Sequence, residues 1–125
     1  MGIKVAILEN NRMLRESSQQ PVNNAEDMYC TGAFPDANKL IRNMQMANPD
    51  VVMMDINMPG TSGIEAVQQI KEKYPQVQIL MQTVFEENEK IFAISCAGAS
   101  GYMLKKTATQ KMIEAVRETY HAVHL

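Results

Sequence analysis

Asp55 follows the apolar run Val51-Val52-Met53-Met54 and precedes Ile56-Asn57-Met58-Pro59-Gly60, which reads as a loop. A lone carboxylate where a buried strand meets a loop is costly without charged or hydrogen-bonding company. The chain offers such company after three other strand-like runs: Glu9, Thr83 and Lys105. Carboxylates can act as nucleophiles or as ligands of hard cations. A hydroxyl and an ammonium can hold anionic oxygens. Taken singly, each residue is equally an ordinary cap or turn residue. Four such groups at four strand ends have the pattern of a site.

The elements that must position them follow from hydrophobic patterning. Ile3–Leu8 reads as a strand and Arg12–Gln20 as a helix, which Pro21 should end or kink. Asp27–Thr31 is a second, weaker strand. Pro35-Asp36 starts a helix with Asp36 as N-cap and Leu40, Ile41 and Met44 on one face. Val51–Met54 is the third strand. Ser62, with Glu65 three residues on, is a capping-box start for a helix carrying Ile64, Val67 and Ile70. Val77–Met81 is a strand, Glu86–Ala97 a helix, Tyr102–Leu104 a short strand and Thr107–His121 the last helix. Met112, Ile113, Val116 and Tyr120 form its apolar face. Five alternations of strand and helix predict an α/β fold, a parallel five-stranded sheet doubly wound by helices. In such sheets ligands sit at the carboxyl ends of the strands, where the strand order reverses. Glu9, Asp55, Thr83 and Lys105 all fall at those ends.

Whole-chain properties narrow the function. The 125 residues suffice for one domain, and the formal net charge of −2 gives no electrostatic case for a nucleic-acid or membrane surface. No apolar run is long enough to span a bilayer. Cys30 and Cys96 lie apart in apolar stretches, without metal spacing, and read as reduced buried thiols of a cytoplasmic protein. The eleven methionines fall mostly at core-like positions. His121 and His124 lack acidic or cysteine partners and read as exposed tail residues rather than metal ligands.

The motifs Ile7-Leu8-Glu9-Asn10-Asn11, Met54-Asp55-Ile56-Asn57-Met58-Pro59-Gly60, Thr83 and Gly98-Ala99-Ser100-Gly101-Tyr102-Met103-Leu104-Lys105, in this order, resemble the receiver domain of a two-component response regulator. The resemblance spans residues 1–125 as a single domain. It implies the flavodoxin-like (βα)5 fold with strand order 2-1-3-4-5, an order for which a receiver protein is a known example. It also implies that Asp55 accepts a phosphoryl group, that Glu9, Asn10, Asp55 and the backbone carbonyl of Asn57 bind Mg²⁺, and that Thr83 and Lys105 hold the phosphoryl oxygens. Tyr102 matches the aromatic switch position. The implied domain is a phosphoacceptor, not an enzyme acting on a separate substrate.

Two departures from the family pattern matter. Glu9-Asn10 stands where two carboxylates are usual, which predicts weaker Mg²⁺ binding. Lys105-Lys106-Thr107, with no proline after the lysine, resembles receivers of LuxR-type transcription regulators. Those carry a C-terminal helix-turn-helix domain; none is expected within residues 1–125, an excised domain or a stand-alone receiver, so DNA would be bound through another segment and not by the receiver itself. The implied partners are a histidine kinase or phosphotransfer protein, and a second copy through the face of Glu86–Ala97, Tyr102–Leu104 and Thr107–His121. Arg12 and Arg15 read as solvated or ion-paired. The Glu9-Asn10 departure keeps open a phosphorylation-independent binding module. Against a phosphohydrolase, aspartate-based phosphatases place a second carboxylate two residues after the nucleophile, where this chain has Asn57.

Overall fold

The computed structural model describes residues 2–56, 58, 62–83 and 98–124. The strands are β1 (Ile3–Leu8), β2 (Met28–Phe34), β3 (Val51–Asp55), β4 (Gln78–Thr83) and β5 (Gly101–Leu104). The described helices are α1 (Arg12–Asn24), α2 (Leu40–Ala47), α3 (Gly63–Lys73) and α4 (Thr109–His124). All strand pairings are parallel, and the order is β2-β1-β3-β4-β5. This is the doubly wound α/β architecture that the alternation predicts. The helix expected over Glu86–Ala97, with Cys96 in it, lies outside the described residues, as do Asn57 and the side chain of His124.

The sheet divides the core in two because side chains alternate along a strand. Ala6, Leu8, Val52, Met54, Ile79 and Met81 face a cluster completed by Leu40 and Met44 of α2 and Ala66, Val67 and Ile70 of α3. Val5, Ile7, Val51, Met53 and Leu80 face the other way, onto Val22 of α1 and Met112, Ile113 and Val116 of α4. Both faces of β3 are therefore covered, and every one of its residues is buried. That explains an unbroken apolar run instead of alternation.

Several boundaries differ from the sequence expectation. α1 continues past Pro21 to Asn24. Only one turn follows the proline, so little of the hydrogen-bond ladder is lost. Val22, fully buried, anchors that turn, and Ala25 N donates to the carbonyls of Pro21 and Val22. α2 begins at Leu40, not at Asp36. The Asp36 carboxylate instead accepts from Asn38 N at 2.9 Å, closing a side-chain turn ahead of the helix. β2 runs later than Asp27–Thr31. A register shift between Val5 and Ala6 places Cys30 and Gly32 opposite consecutive β1 residues, so Thr31 is the extra residue of a bulge. Cys30 on this strand is half-buried rather than enclosed. β4 extends through Gln82 and Thr83 because Asp55 and Leu104 pair with them from either side. α4 starts at Thr109, after a turn in which Thr107 N donates to Leu104 O.

Some expected local features hold. Ser62 caps α3, its hydroxyl accepting from Glu65 N at 3.2 Å. Next to it Gly63 permits close packing: a Cβ there would lie 2.9 Å from the carbonyl oxygen of Ile56. Helix α3 is thereby pressed against the segment that leaves Asp55. Among the described residues, no helix is long and apolar enough to cross a membrane.

Candidate functional site

Strand register assembles the candidate site. Leu8 pairs with Met54, and Asp55 with Gln82, so Glu9 falls one step beyond Leu8 in the row of Asp55 and Gln82. Thr83 pairs with Leu104, and Lys105 comes next. By strand alternation Asp55, Gln82 and Met103 continue the phase of Met53 and Leu80, toward α1 and α4, while Thr83 continues that of Met81.

Glu9 and Asp55 are each only 2% exposed. The Lys105 ammonium lies between them: Nζ donates to Asp55 Oδ2 at 2.9 Å and stands 3.0 Å from Glu9 Oε1. Burial alone would push the Lys105 pKa down. The contacts to Asp55 and Glu9, and the attraction of both carboxylates, outweigh that and raise it above its ordinary 10.5. The other Glu9 oxygen, Oε2, accepts from Asn11 N at 3.0 Å. Glu9 Oε1 is different. It is buried and accepts no hydrogen bond among the described residues, so the ion pair with Lys105 is its electrostatic partner.

Thr83 is 3% exposed, and its carbonyl accepts from Lys105 N at 2.9 Å, tying the ends of β4 and β5 together. Asn10 is exposed. Its side-chain amide donates to the Pro35 carbonyl at 3.2 Å, a partner at the end of β2 that the sequence does not suggest. Tyr102 is 52% exposed, with its ring outward.

Two further residues escape the motif reading. Gln82, buried in the row of Asp55, is marked in the sequence only as a polar residue after the apolar run Ile79-Leu80-Met81. Arg15 donates from Nη1 to the carbonyl of Glu9 at 2.8 Å, and more distantly to that of Asn10 at 3.4 Å. A cavity of about 120 Å³ opens beside Glu9, Gln82 and Lys105, bounded by Ser17 and Leu14 of α1 and Met112 of α4.

These residues fit a small hard cation. Two carboxylates flank one position that a monovalent ammonium now shares, and Glu9 Oε1 accepts no hydrogen bond among the described residues. Mg²⁺ takes one or two carboxylates and completes its shell with other oxygens and water. No group of three or more acidic, histidine or cysteine side chains able to hold a metal occurs among the described residues, so a dication here would rest on two carboxylates and neutral oxygens.

Comparison with known proteins is consistent with this geometry. Residues 5–117 match the family described as response regulator receiver domain. The transcriptional regulatory protein YxjL of Bacillus subtilis (strain 168) is 36% identical over 115 residues, covering 92% of this chain and 53% of that protein. The oxygen regulatory protein NreC of Staphylococcus haemolyticus (strain JCSC1435) is 31% identical over 119 residues, covering 94% of this chain and 55% of that protein. The chain thus spans about half the length of these curated relatives. A LuxR-family response regulator from Aurantimonas sp. SI85-9A1 superposes with a TM-score of 0.90 at 23% identity, covering 98% of this chain and 87% of that one. A LuxR-family DNA-binding response regulator from Staphylococcus aureus gives 0.86 at 22% identity, covering 94% and 98%. The two structures share the fold, and the match over residues 5–117 decides the family: this chain belongs to the receiver domains of response regulators.

Proposed function

We propose that this receiver accepts a phosphoryl group on Asp55 from the phosphohistidine of a histidine kinase or phosphotransfer protein. The observation that carries the reading is the Lys105 ammonium held 2.9 Å from Asp55 and 3.0 Å from Glu9, both buried at strand ends. An oxygen of Asp55 attacks phosphorus, an acyl phosphate O–P bond forms, and the P–N bond to the donor imidazole breaks. The imidazole keeps the electron pair and recovers a proton from solvent. Lys105 then pairs with the phosphoryl oxygens, and the Thr83 hydroxyl donates to one of them. Mg²⁺, when held by Glu9, Asp55, the Asn57 carbonyl and Asn10, supplies the positive charge that lets an anionic phosphoryl group approach an anionic nucleophile.

The signal leaves through Tyr102 and the surface formed by residues 86–97, 102–104 and 107–121. Two copies of the domain meet through that face. Output is transcriptional, with DNA bound through a helix-turn-helix segment distinct from residues 1–125, and the setting is cytoplasmic. Incubation with acetyl phosphate and Mg²⁺, followed by intact mass, tests the reading. The wild type should gain one phosphoryl group, and Asp55→Asn should gain none. Uptake by Asp55→Asn at the wild-type rate would remove Asp55 from this role.

A second reading rests on Asn10, whose amide is committed to Pro35. On it the domain binds a protein partner without phosphorylation. In the same experiment the wild type would then show no addition at any Mg²⁺ concentration.

A further inference from the structure

Helix α1 has Arg12 and Arg15 at its start and no acidic residue in its first turn. Positive charge there opposes the helix dipole. Arg12 is balanced by Glu16 one turn on, at 3.0 Å, both well exposed. Among the described residues Arg15 makes no such ion pair. Its half-buried side chain leans toward the helix N-terminus, as helical side chains do. Its guanidinium donates to the carbonyl oxygens of Glu9 and Asn10.

Those two peptide units form the corner that presents Glu9. The strand side of the corner is fixed by Glu9 N donating to Phe34 O at 3.0 Å, and its outer side by the Asn10 amide on Pro35. Arg15 supplies the hold from the helix side. A guanidinium is planar and always charged, and can serve two acceptors at once. One guanidinium nitrogen, Nη1, makes both contacts, so the cation is held on the backbone of the loop.

We propose that Arg15 is a positioning residue for the cation site: by holding the Glu9 and Asn10 peptides it keeps Glu9 Oε1 aimed at the place that Lys105 now shares. The inference rests on the Mg²⁺ reading above. It also carries a sign. If Arg15 acted only as a nearby positive charge, removing it would tighten Mg²⁺ binding. If it positions the corner, removing it weakens binding.

The test is Mg²⁺ titration of wild type, Arg15→Met and Arg15→Lys by calorimetry, with amide hydrogen exchange of the metal-free proteins. Arg15→Met should bind Mg²⁺ about tenfold more weakly, the scale seen when a group that orients metal ligands is lost. Exchange should accelerate at Asn10 and Asn11 while β3 stays protected. Arg15→Lys keeps the charge and a donor and should fall between the two. Arg15→Met binding as tightly as wild type or tighter overturns the inference. So does weakened binding with equal loss of protection across β3, which would mean a loosened fold. If Arg15→Met does not fold, Arg15→Lys carries the test: weaker binding than wild type supports the role, and equal or tighter binding overturns it. A wild type that binds no Mg²⁺ defeats this inference and the Mg²⁺ reading together. Wild-type phosphoryl uptake with Mg²⁺, beside an unaffected Arg15→Met, defeats the inference alone.

Discussion

Replacing Lys105 with methionine removes a cation shared by Glu9 and Asp55 while keeping the length of the side chain. Both carboxylates are 2% exposed, so the variant takes from two buried acids the counter-charge that they share. Breaking a buried ion pair from one side costs about 3–5 kcal/mol. The Lys105 side chain is 17% exposed, and the cavity beside Glu9, about 120 Å³, has room and polar walls for water. Those features favour the lower end, about 3 kcal/mol. For a chain of this length that is a fall in Tm of about 10–15 °C. Thermal denaturation in chelator at pH 7 measures it.

Mg²⁺ at about 100 times its Kd for the variant adds about 2.7 kcal/mol and should restore most of the loss. In an Asp55→Asn background Lys105 has one acid fewer to neutralise, so Lys105→Met should cost less there, with a coupling of about 1 kcal/mol or more. A Tm change below about 3 °C, or an identical loss with and without Asp55, would refute the claim that Lys105 neutralises a buried acid pair.

Other outcomes can be checked on the same protein. Asn10→Asp should tighten Mg²⁺ binding in calorimetric titration by adding a carboxylate. It should also lower metal-free stability by about 1 kcal/mol, because the donor to the Pro35 carbonyl is lost. The Lys105 pKa is raised in the folded state, so its contribution is full below pH 10.5 and disappears as pH rises through the folded value. Melting curves should therefore show an alkaline decline in wild type that Lys105→Met lacks. The Asp27 carboxylate, held by Arg117 at 2.6 and 3.0 Å, has its pKa lowered below 3.8, chiefly by those hydrogen bonds. Its contribution is present above pH 3.8 and is lost as pH falls through the folded value, so Asp27→Asn should flatten the acid limb of the melting-point profile. The Tyr102 ring, now 52% exposed, should become protected from nitration when beryllofluoride and Mg²⁺ are added; unchanged reactivity would remove Tyr102 from the switch.

Glu9, Asp55 and Lys105 were legible in the sequence because charged residues bordering apolar runs are exceptional, and each needs the others to be tolerable. The sheet was legible for the same reason: β1 and β3 are buried on both faces and leave long apolar signatures. What escaped the sequence was set by partners that have no residue type. Arg15 bonds backbone carbonyls, so nothing in the residue types around it marks the contact. The rotation of Asn10 toward Pro35 depends on where β2 ends, and a bulge moved that end. Pro21 misled because a local rule gave way to the burial of Val22. Asp36 misled because a cap and a side-chain turn use the same residue type.

The methionines of the core set its mechanical character. Met53, Met54 and Met81 fill the two central strands just below the acid site, and Met44, Met103 and Met112 surround them from the helices and β5. An unbranched thioether surrenders more rotamer freedom on burial, about 1.5–2 kcal/mol, against about 0.5–1 for leucine or isoleucine. Such an interior is bound less tightly for the volume it fills. In exchange, its side chains can change shape by rotating in place, without dragging the backbone along. A strand end that shifts by a fraction of an ångström is then absorbed by neighbours that re-coil around it. The same thioethers are shielded from oxidants only while the sheet stays closed, whereas Met13 and Met46, 80% and 73% exposed, are open to them at all times. The order in which sulfoxides accumulate along this chain would be a direct record of how often its interior opens.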